Sequence, residues 1–317
     1  MLDTSAFQDI DFARGRVAVL GSMNADYTME VDHLPLPGET VAGGPLRLLP
    51  GGKSSNQAVA AARAGSEVTL LGALGSDENA AFLASRLHEA GVSTDSVKRV
   101  EGPSGATLIT VDGSGENAIA YSPGANAAVD AAYVRAVASE IRAARVLGLC
   151  LESPLPAVTE AARIAHEADV AVALNNSPFQ PELPDALLAA VDILIVNEHE
   201  LAAMLGLPAT SLDATRLARA ADDLGVPAII ATLGARGSVI VREGVVTSVT
   251  PVPVEPVDTT GCGDAFMGTV LAALAAGAPL DAAARAASAA AAYAACGHGA
   301  QASYGTRAEV EAFLAAR

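Results

Sequence analysis

The sequence contains no tryptophan, and aromatic residues fill only 3% of its 317 positions. A hydrophobic core must therefore be assembled from Ala, Val, Leu and Ile, and rings for stacking nucleic-acid bases are scarce. Lysine is nearly absent: Lys53 and Lys98 are the two in the chain. With 19 Lys and Arg against 36 Asp and Glu, the formal net charge is −17 and the isoelectric point about 4.6. Such a surface repels nucleic-acid phosphates and anionic lipid, so neither is an expected partner. An anionic substrate has to be held locally, by helix N-termini, a few arginines or a cation. Cys150, Cys262 and Cys296 are odd in number, far apart and without a C-x-x-C. That pattern belongs to a reducing compartment and excludes a disulfide framework or a zinc site. Long apolar runs are missing as well. Residues 265–280 form a 16-residue uncharged apolar stretch interrupted by Gly268, Gly277 and Pro279, short of a membrane span. Residues 1–16 carry acidic groups and no apolar run, unlike a secretory leader, and a cytoplasmic protein is expected.

What is present is a hydrophobic fraction of 51%, enough for a folded core. The run R-V-A-V-L-G at 16–21 has the look of a buried parallel strand. A helix is expected from near Ser54 to Gly65, a strand over 68–72 and a helix over 78–90. Further strands are expected at 146–149, 170–174, 193–196 and 228–232, with helical stretches between most of them. This alternation predicts βαβ units, hence an α/β fold: a doubly wound, mostly parallel sheet with helices on both faces. Two stretches break the rhythm, about 25–49 and 105–122, and they predict a small β-sheet lid over one end of a single domain spanning 1–317. Residues 238–249 read as a hairpin, and beyond Gly263 an Ala-rich helix is expected roughly to Cys296, followed by a short helix from Thr306.

The motif D-T-T-G-C-G-D (258–264) is the most informative. Two glycines flank a small residue at the start of an apolar helix, so backbone N–H groups and the positive end of the helix dipole make an anion site. Asp264, in the first turn, either complements that dipole or acts as a general base toward an alcohol whose phosphoryl donor sits in the anion site. Asn24 and Asp26 point to one side of an extended segment and suit vicinal hydroxyls of a sugar, or else a turn. Gly51-Gly52-Lys53-Ser54 lacks the earlier glycine of a nucleotide P-loop, and the first strand leads into no dinucleotide fingerprint. What remains is a diglycine of close backbone approach, with Lys53 and Asn56 at a helix start. Glu152 follows a strand's carboxyl end, where open α/β sheets bind ligands. Asn197 and Glu200 suit either a hydrated Mg²⁺ near phosphates or a helix capping box. Thr232, Gly234 and Gly237 form a turn that admits a nucleotide, with Arg236 in reach of a phosphate. The five histidines have no metal-type pairing.

Taken in order, G-S-M-N-A-D, P-G-E-T, G-G-K-S-S-N-Q-A-V, G-A-N, L-E-S-P, N-E-H-E, T-L-G-A-R-G and D-T-T-G-C-G-D-A-F resemble the PfkB carbohydrate kinase family from about Arg16 onward, and most of all its ribokinase branch. The resemblance implies ATP-dependent phosphorylation of D-ribose at O5, giving ribose 5-phosphate and ADP. Asp264 would be the catalytic base and Gly261, Cys262 and Gly263 the anion hole. Asn24, Asp26, Gly52, Lys53, Asn56 and Glu152 would grip the sugar. Asn197, Thr232, Gly234, Gly237 and Ser288 would line the nucleotide site, with Glu200 supporting Mg²⁺ indirectly. Asp258, Thr260, Ala294, Gly297, Gly299 and Ser303 would hold a monovalent cation, usually K⁺, and the lid would pair with its twin in a homodimer. The sequence departs from the family at Cys262 and Ser54-Ser55, where small apolar residues are usual, at Ser288 for Asn, and at Ala302 for Pro. The alternatives are a relative acting on deoxyribose, fructose or a nucleoside, and a catalytically silent sugar-binding regulator. An NAD-dependent oxidoreductase is disfavoured by the missing glycine fingerprint.

Overall fold

The strand Arg16–Leu20 is the hub of the molecule. The computed structural model describes residues 5–317, with side chains from Phe7 onward, so the first residues of the acidic leading stretch lie outside it. In the nine-stranded main sheet the order is Val245–Val249, Ser238–Arg242, Ala228–Thr232, Ile193–Asn197, Ala171–Asn175, Val146–Leu149, Arg16–Leu20, Glu67–Leu71 and Val92–Ser93. The strands from Ile193–Asn197 through Val92–Ser93 pair in parallel, as does Ala228–Thr232 with Ile193–Asn197, and the hairpin 238–249 closes one edge antiparallel. The hairpin turns at Glu243 and Gly244, both with positive φ (53° and 73°), as its two-residue turn requires.

Side chains along the hub alternate between the two faces. Val17 and Val19 enter one core cluster and Ala18 and Leu20 the other, so the sheet is buried on both sides. Alanine dominates much of the helical packing, and small side chains let the backbones come close. The helix Cys262–Ala275 lies on the helix Lys53–Ala64, and Gly268 sits at the contact: a Cβ there would stand 2.6 Å from Ala60 Cβ and 3.0 Å from the Ala61 nitrogen.

The helix near Ser54 begins at Lys53 and ends against Gly65, which takes the left-handed conformation (φ 117°) and donates back to the last turn. The expected single Ala-rich helix is two, Cys262–Ala275 and Leu280–Ala294. The break falls at 277–279, because Gly277 adopts φ 87° and Pro279 cannot continue the helical hydrogen bonding. The segments 25–49 and 105–122 contribute the strands of a separate four-stranded sheet, ordered Arg47–Gly51, Asn24–Glu30, Gly105–Val111, Asn117–Ser122. Its register sets Leu49, Asp26, Thr107 and Tyr121 in one row on one face.

Candidate active site

The chain leaves the hub in one direction to Glu67–Leu71 and later returns to its other side with Val146–Leu149. Strand order reverses there, and the crevice beyond those carboxyl ends is the ligand-binding position of an open α/β sheet. Residues following both strands meet in it. Glu152 Oε2 accepts the Lys53 backbone N–H at 2.9 Å and the Ser22 hydroxyl. Asn24 is buried, and its Oδ1 accepts from Asn126 Nδ2 at 2.7 Å, while Asn126 Oδ1 accepts the Met23 N–H at 3.1 Å. Asp26 accepts the Thr107 hydroxyl, and its second oxygen lies over Gly51, where any Cβ would collide with it. Burial pushes the Asp26 carboxyl up to about 6 against the pull of Thr107, with Glu152 and Asp264 adding repulsion.

Asp264 stands opposite this group. Gly261, with φ 74°, turns the chain into the helix, so the carboxylate emerges in the first turn and is buried. Its Oδ2 accepts from Asn56 Nδ2 at 2.9 Å and its Oδ1 from Gln57 Nε2 at 3.1 Å. Asn56 is itself held by Gln301 Nε2, 2.9 Å from its Oδ1. Burial moves the Asp264 carboxyl upward; Lys53 and the two amides pull the other way. Burial would lower the Lys53 ammonium, but Asp264 and Glu152 outweigh it and hold the group charged. The crevice thus brings together the carboxylates of Asp26 and Glu152, the Lys53 ammonium and the Asp264 carboxylate, whose carboxyl burial moves upward.

The anion-binding turn has its own supports. The Tyr304 hydroxyl donates to the Gly261 carbonyl at 2.9 Å, and the Cys262 N–H is engaged by the Thr259 carbonyl at 3.2 Å. Gly263 is exposed, and the N–H groups of this first turn have no partner within their own helix. Burial raises the Cys262 thiol to about 11, so it stays neutral beside an anion. A cleft of about 470 Å³ opens from this turn, lined among others by Thr232, Gly234, Gly237, Cys262, Gly263 and Ser288. Its walls are largely apolar (Pro251, Val252, Phe266, Ala292), a surface that accepts a flat heterocycle.

Asn197 and Glu200 lie outside that lining and form a reciprocal capping box, each accepting the other's backbone N–H at 2.8 Å. The Glu200 charge nevertheless reaches Lys53. Arg236 is ion-paired with Glu198. Asp258 accepts from the N–H groups of Thr260 and Gly299, both at 2.8 Å. Burial alone would raise its carboxyl, but these donors, led by Gly299, hold it below the ordinary range. Gly297 abuts Ser303, and the carbonyl of Ala294, at the end of its helix, accepts the Gly297 N–H at 3.0 Å. Among the described residues no group of three or more His, Cys, Asp and Glu could hold a metal.

Ser54 and Ser55 do not make the pocket polar. Both are buried, Ser54 bonded to the Leu20 carbonyl at 3.2 Å and Ser55 to the Gly52 carbonyl at 2.9 Å. Gln57, Thr107, Asn126 and Tyr304 escaped the reading of the sequence. Gln57 and Asn126 lie inside quoted motifs, G-G-K-S-S-N-Q-A-V and G-A-N, and were within reach; Thr107 and Tyr304 come from distant segments and carry no local signal.

A carboxylate at a helix N-terminus, between a polar hydroxyl-binding pocket and a cleft suited to a nucleotide, defines an alcohol phosphotransferase. The profile of the pfkB family carbohydrate kinase matches residues 14–307, and the chain belongs to that family. It is 36% identical over 303 residues to a ribokinase of Haemophilus influenzae, covering 95% of this chain and 99% of that one. A ribokinase of Schizosaccharomyces pombe is 39% identical over 276 residues, covering 83% and 86%. An Arabidopsis thaliana ribokinase solved with ribose and ATP superimposes with TM-score 0.88 at 30% identity, covering 95% of this chain and 98% of that one. The protein is a sugar kinase.

Proposed function

We propose that this enzyme is a ribokinase, transferring the γ-phosphoryl group of ATP to O5 of D-ribose. The observation that carries the reading is Asp264, clamped by Asn56 and Gln57 at the anion-binding turn and facing Asp26 and Lys53 across one crevice. Asn24 and Asp26 bind the ring hydroxyls, with Gly52 admitting the sugar and Lys53 and Glu152 bordering it. Asp264 takes the O5 proton as the O5–P bond forms and the bond from phosphorus to the β-phosphate oxygen breaks, leaving ADP. The N–H groups of Gly261 and Gly263 face the charge on the transferring phosphoryl, and that of Cys262 joins them if it gives up the Thr259 carbonyl. Thr232, Gly234, Gly237 and Ser288, which line the cleft, hold the nucleotide; Asn197, expected there from the sequence, lies outside the lining with its amide oxygen committed to the helix cap.

Glu200, with one oxygen committed to its cap, would be the residue to support a Mg²⁺ ion, which would supply neutralisation of the charge on the ATP phosphates. Asp258, Thr260, Ala294, Gly297, Gly299 and Ser303 would hold a monovalent cation, K⁺ in our reading, which would supply positive charge beside the adjoining turn. The small sheet serves as the lid and as the interface of a homodimer: Leu48, Leu108, Ile119 and Tyr121 are exposed on it. Free cysteines, one of them exposed, fit the cytoplasm. No helix among the described residues is long and apolar enough to cross a membrane. An acidic surface makes nucleic acid and membrane poor partners.

The test is ADP release across D-ribose, 2-deoxyribose, fructose and nucleosides, with and without K⁺. Ribose is expected to give the highest kcat/KM, and Asp264→Asn to cut turnover by about 10²–10⁴ while ribose still binds. Preference for another acceptor, or near-normal turnover in the variant, would refute the substrate or the base respectively.

A further inference from the structure

The carboxylate that faces the sugar is held by a residue no motif singles out. Thr107 lies on Gly105–Val111 directly opposite Asp26 on Asn24–Glu30, and its hydroxyl donates to Asp26 Oδ1. On the other side the second carboxylate oxygen lies over Gly51, where the absent side chain leaves it room. Asp26 is thus gripped from both neighbouring strands. These two strands are also where the separated segments 25–49 and 105–122 join, so the Thr107 bond ties one segment to the sugar ligand of the other. Tyr121 continues the row beyond Thr107, with its hydroxyl 3.5 Å from the Glu152 carbonyl at the crevice.

We propose that Thr107 is a positioning residue of the sugar site, fixing Asp26 in the orientation that receives the ribose hydroxyls. This rests on the ribokinase reading above. A hydrogen bond to an ionised carboxylate is short and directional, so one oxygen is locked across the sheet while the other stays over the diglycine turn. The charged groups that act on Asp26 are Glu152 from the crevice loop and Asp264 from the helix Cys262–Ala275; Tyr121 stands beyond Thr107 in the same row, and Lys53 acts on Glu152 and Asp264. Glu152 and Asp264 both repel its charge, and the Thr107 hydroxyl opposes them. Without that donor Asp26 takes up a proton at higher pH and loses its full accepting capacity.

The experiment is steady-state kinetics of wild type, Thr107→Val, Thr107→Ala and Thr107→Ser with ATP and D-ribose from pH 5 to 9. In the Val and Ala variants the KM for ribose is expected to rise about tenfold, on the scale of one hydrogen bond to a charge. The KM for ATP and kcat at saturating ribose should stay within about twofold, and the acid limb of kcat/KM for ribose should move to higher pH. Thr107→Ser should restore all three. An unchanged ribose KM and acid limb in Val and Ala overturns the proposal, as does a Ser variant as impaired as Val. Unfolding of both hydroxyl-free variants would make the role structural and also overturn it. A wild type inert toward ribose sinks the ribokinase reading, and this inference falls with it.

Discussion

At the scale of single residues, the site holds two carboxylates, Asp26 and Asp264, where burial disfavours their charge. Asp26 is the clearest case, its carboxyl raised from 3.8 to about 6 chiefly by burial. The folded state therefore binds a proton that the unfolded chain has released, between about pH 4 and 6. Stability is contributed below that window and lost as pH rises through about 6. At pH 7.5 the ionised group costs about 2 kcal/mol, after allowance for its partial exposure to solvent. Asp26→Asn should accordingly raise the melting temperature of the ligand-free enzyme at pH 7.5 while it weakens ribose binding. The stability gain should vanish toward pH 4; equal melting temperatures at both pH values would show that Asp26 carries no such burden. Function is retained here against stability.

At the scale of elements, the Asp264 clamp depends on how two helices meet. Asn56 and Gln57 sit in the first turns of Lys53–Ala64, and Asp264 sits in the first turn of Cys262–Ala275. They reach one another because Gly268 lets the helices touch, with the Gln57 carbonyl among the atoms a Cβ would strike. Gly268→Val should cost roughly 2–3 kcal/mol of unfolding free energy by overpacking, read as a lower urea midpoint. Because the displaced backbone is that of Gln57, turnover should fall too. A variant that loses stability but keeps full kcat would separate the clamp from the helix contact. Legibility in the sequence was uneven at this scale. The strand Val146–Leu149 and the helix from Glu78 stood out because apolar periodicity and glycine stops are local signals. The break at 277–279 was marked in the sequence by Gly277 and Pro279, but the alanine-rich stretches on either side read as one helix. The two readings of Asn197 and Glu200 were equally compatible with N-x-x-E; the capping box is formed, and the spacing itself carried no information about a metal.

At the scale of the whole molecule, the small sheet projects from the carboxyl edge of the main one with apolar side chains in solvent. Leu108 is 61% exposed, and Ile119, on the same face as Thr107, is 58% exposed. The two lie on opposite faces, and in our reading the face of Ile119, which also carries the exposed Tyr121, is the one a second copy covers. Ile119→Arg should shift the enzyme toward monomer by light scattering after gel filtration and raise the ribose KM, since the uncovered lid shields the sugar less well. A wild type that is monomeric at assay concentration would dispose of the dimer.

The amino-acid sequence by itself determined the kind of fold and the main chemical groups. The order of strands and helices follows from local periodicity, and D-T-T-G-C-G-D carries its anion turn and its carboxylate within seven residues. Tertiary structure alone decided which side chains hold those groups in place. Thr107 meets Asp26 across 81 positions and Gln57 meets Asp264 across 207, distances over which spacing encodes nothing. Such partners are fixed by strand register and helix contact, and those are settled only when the chain buries its core.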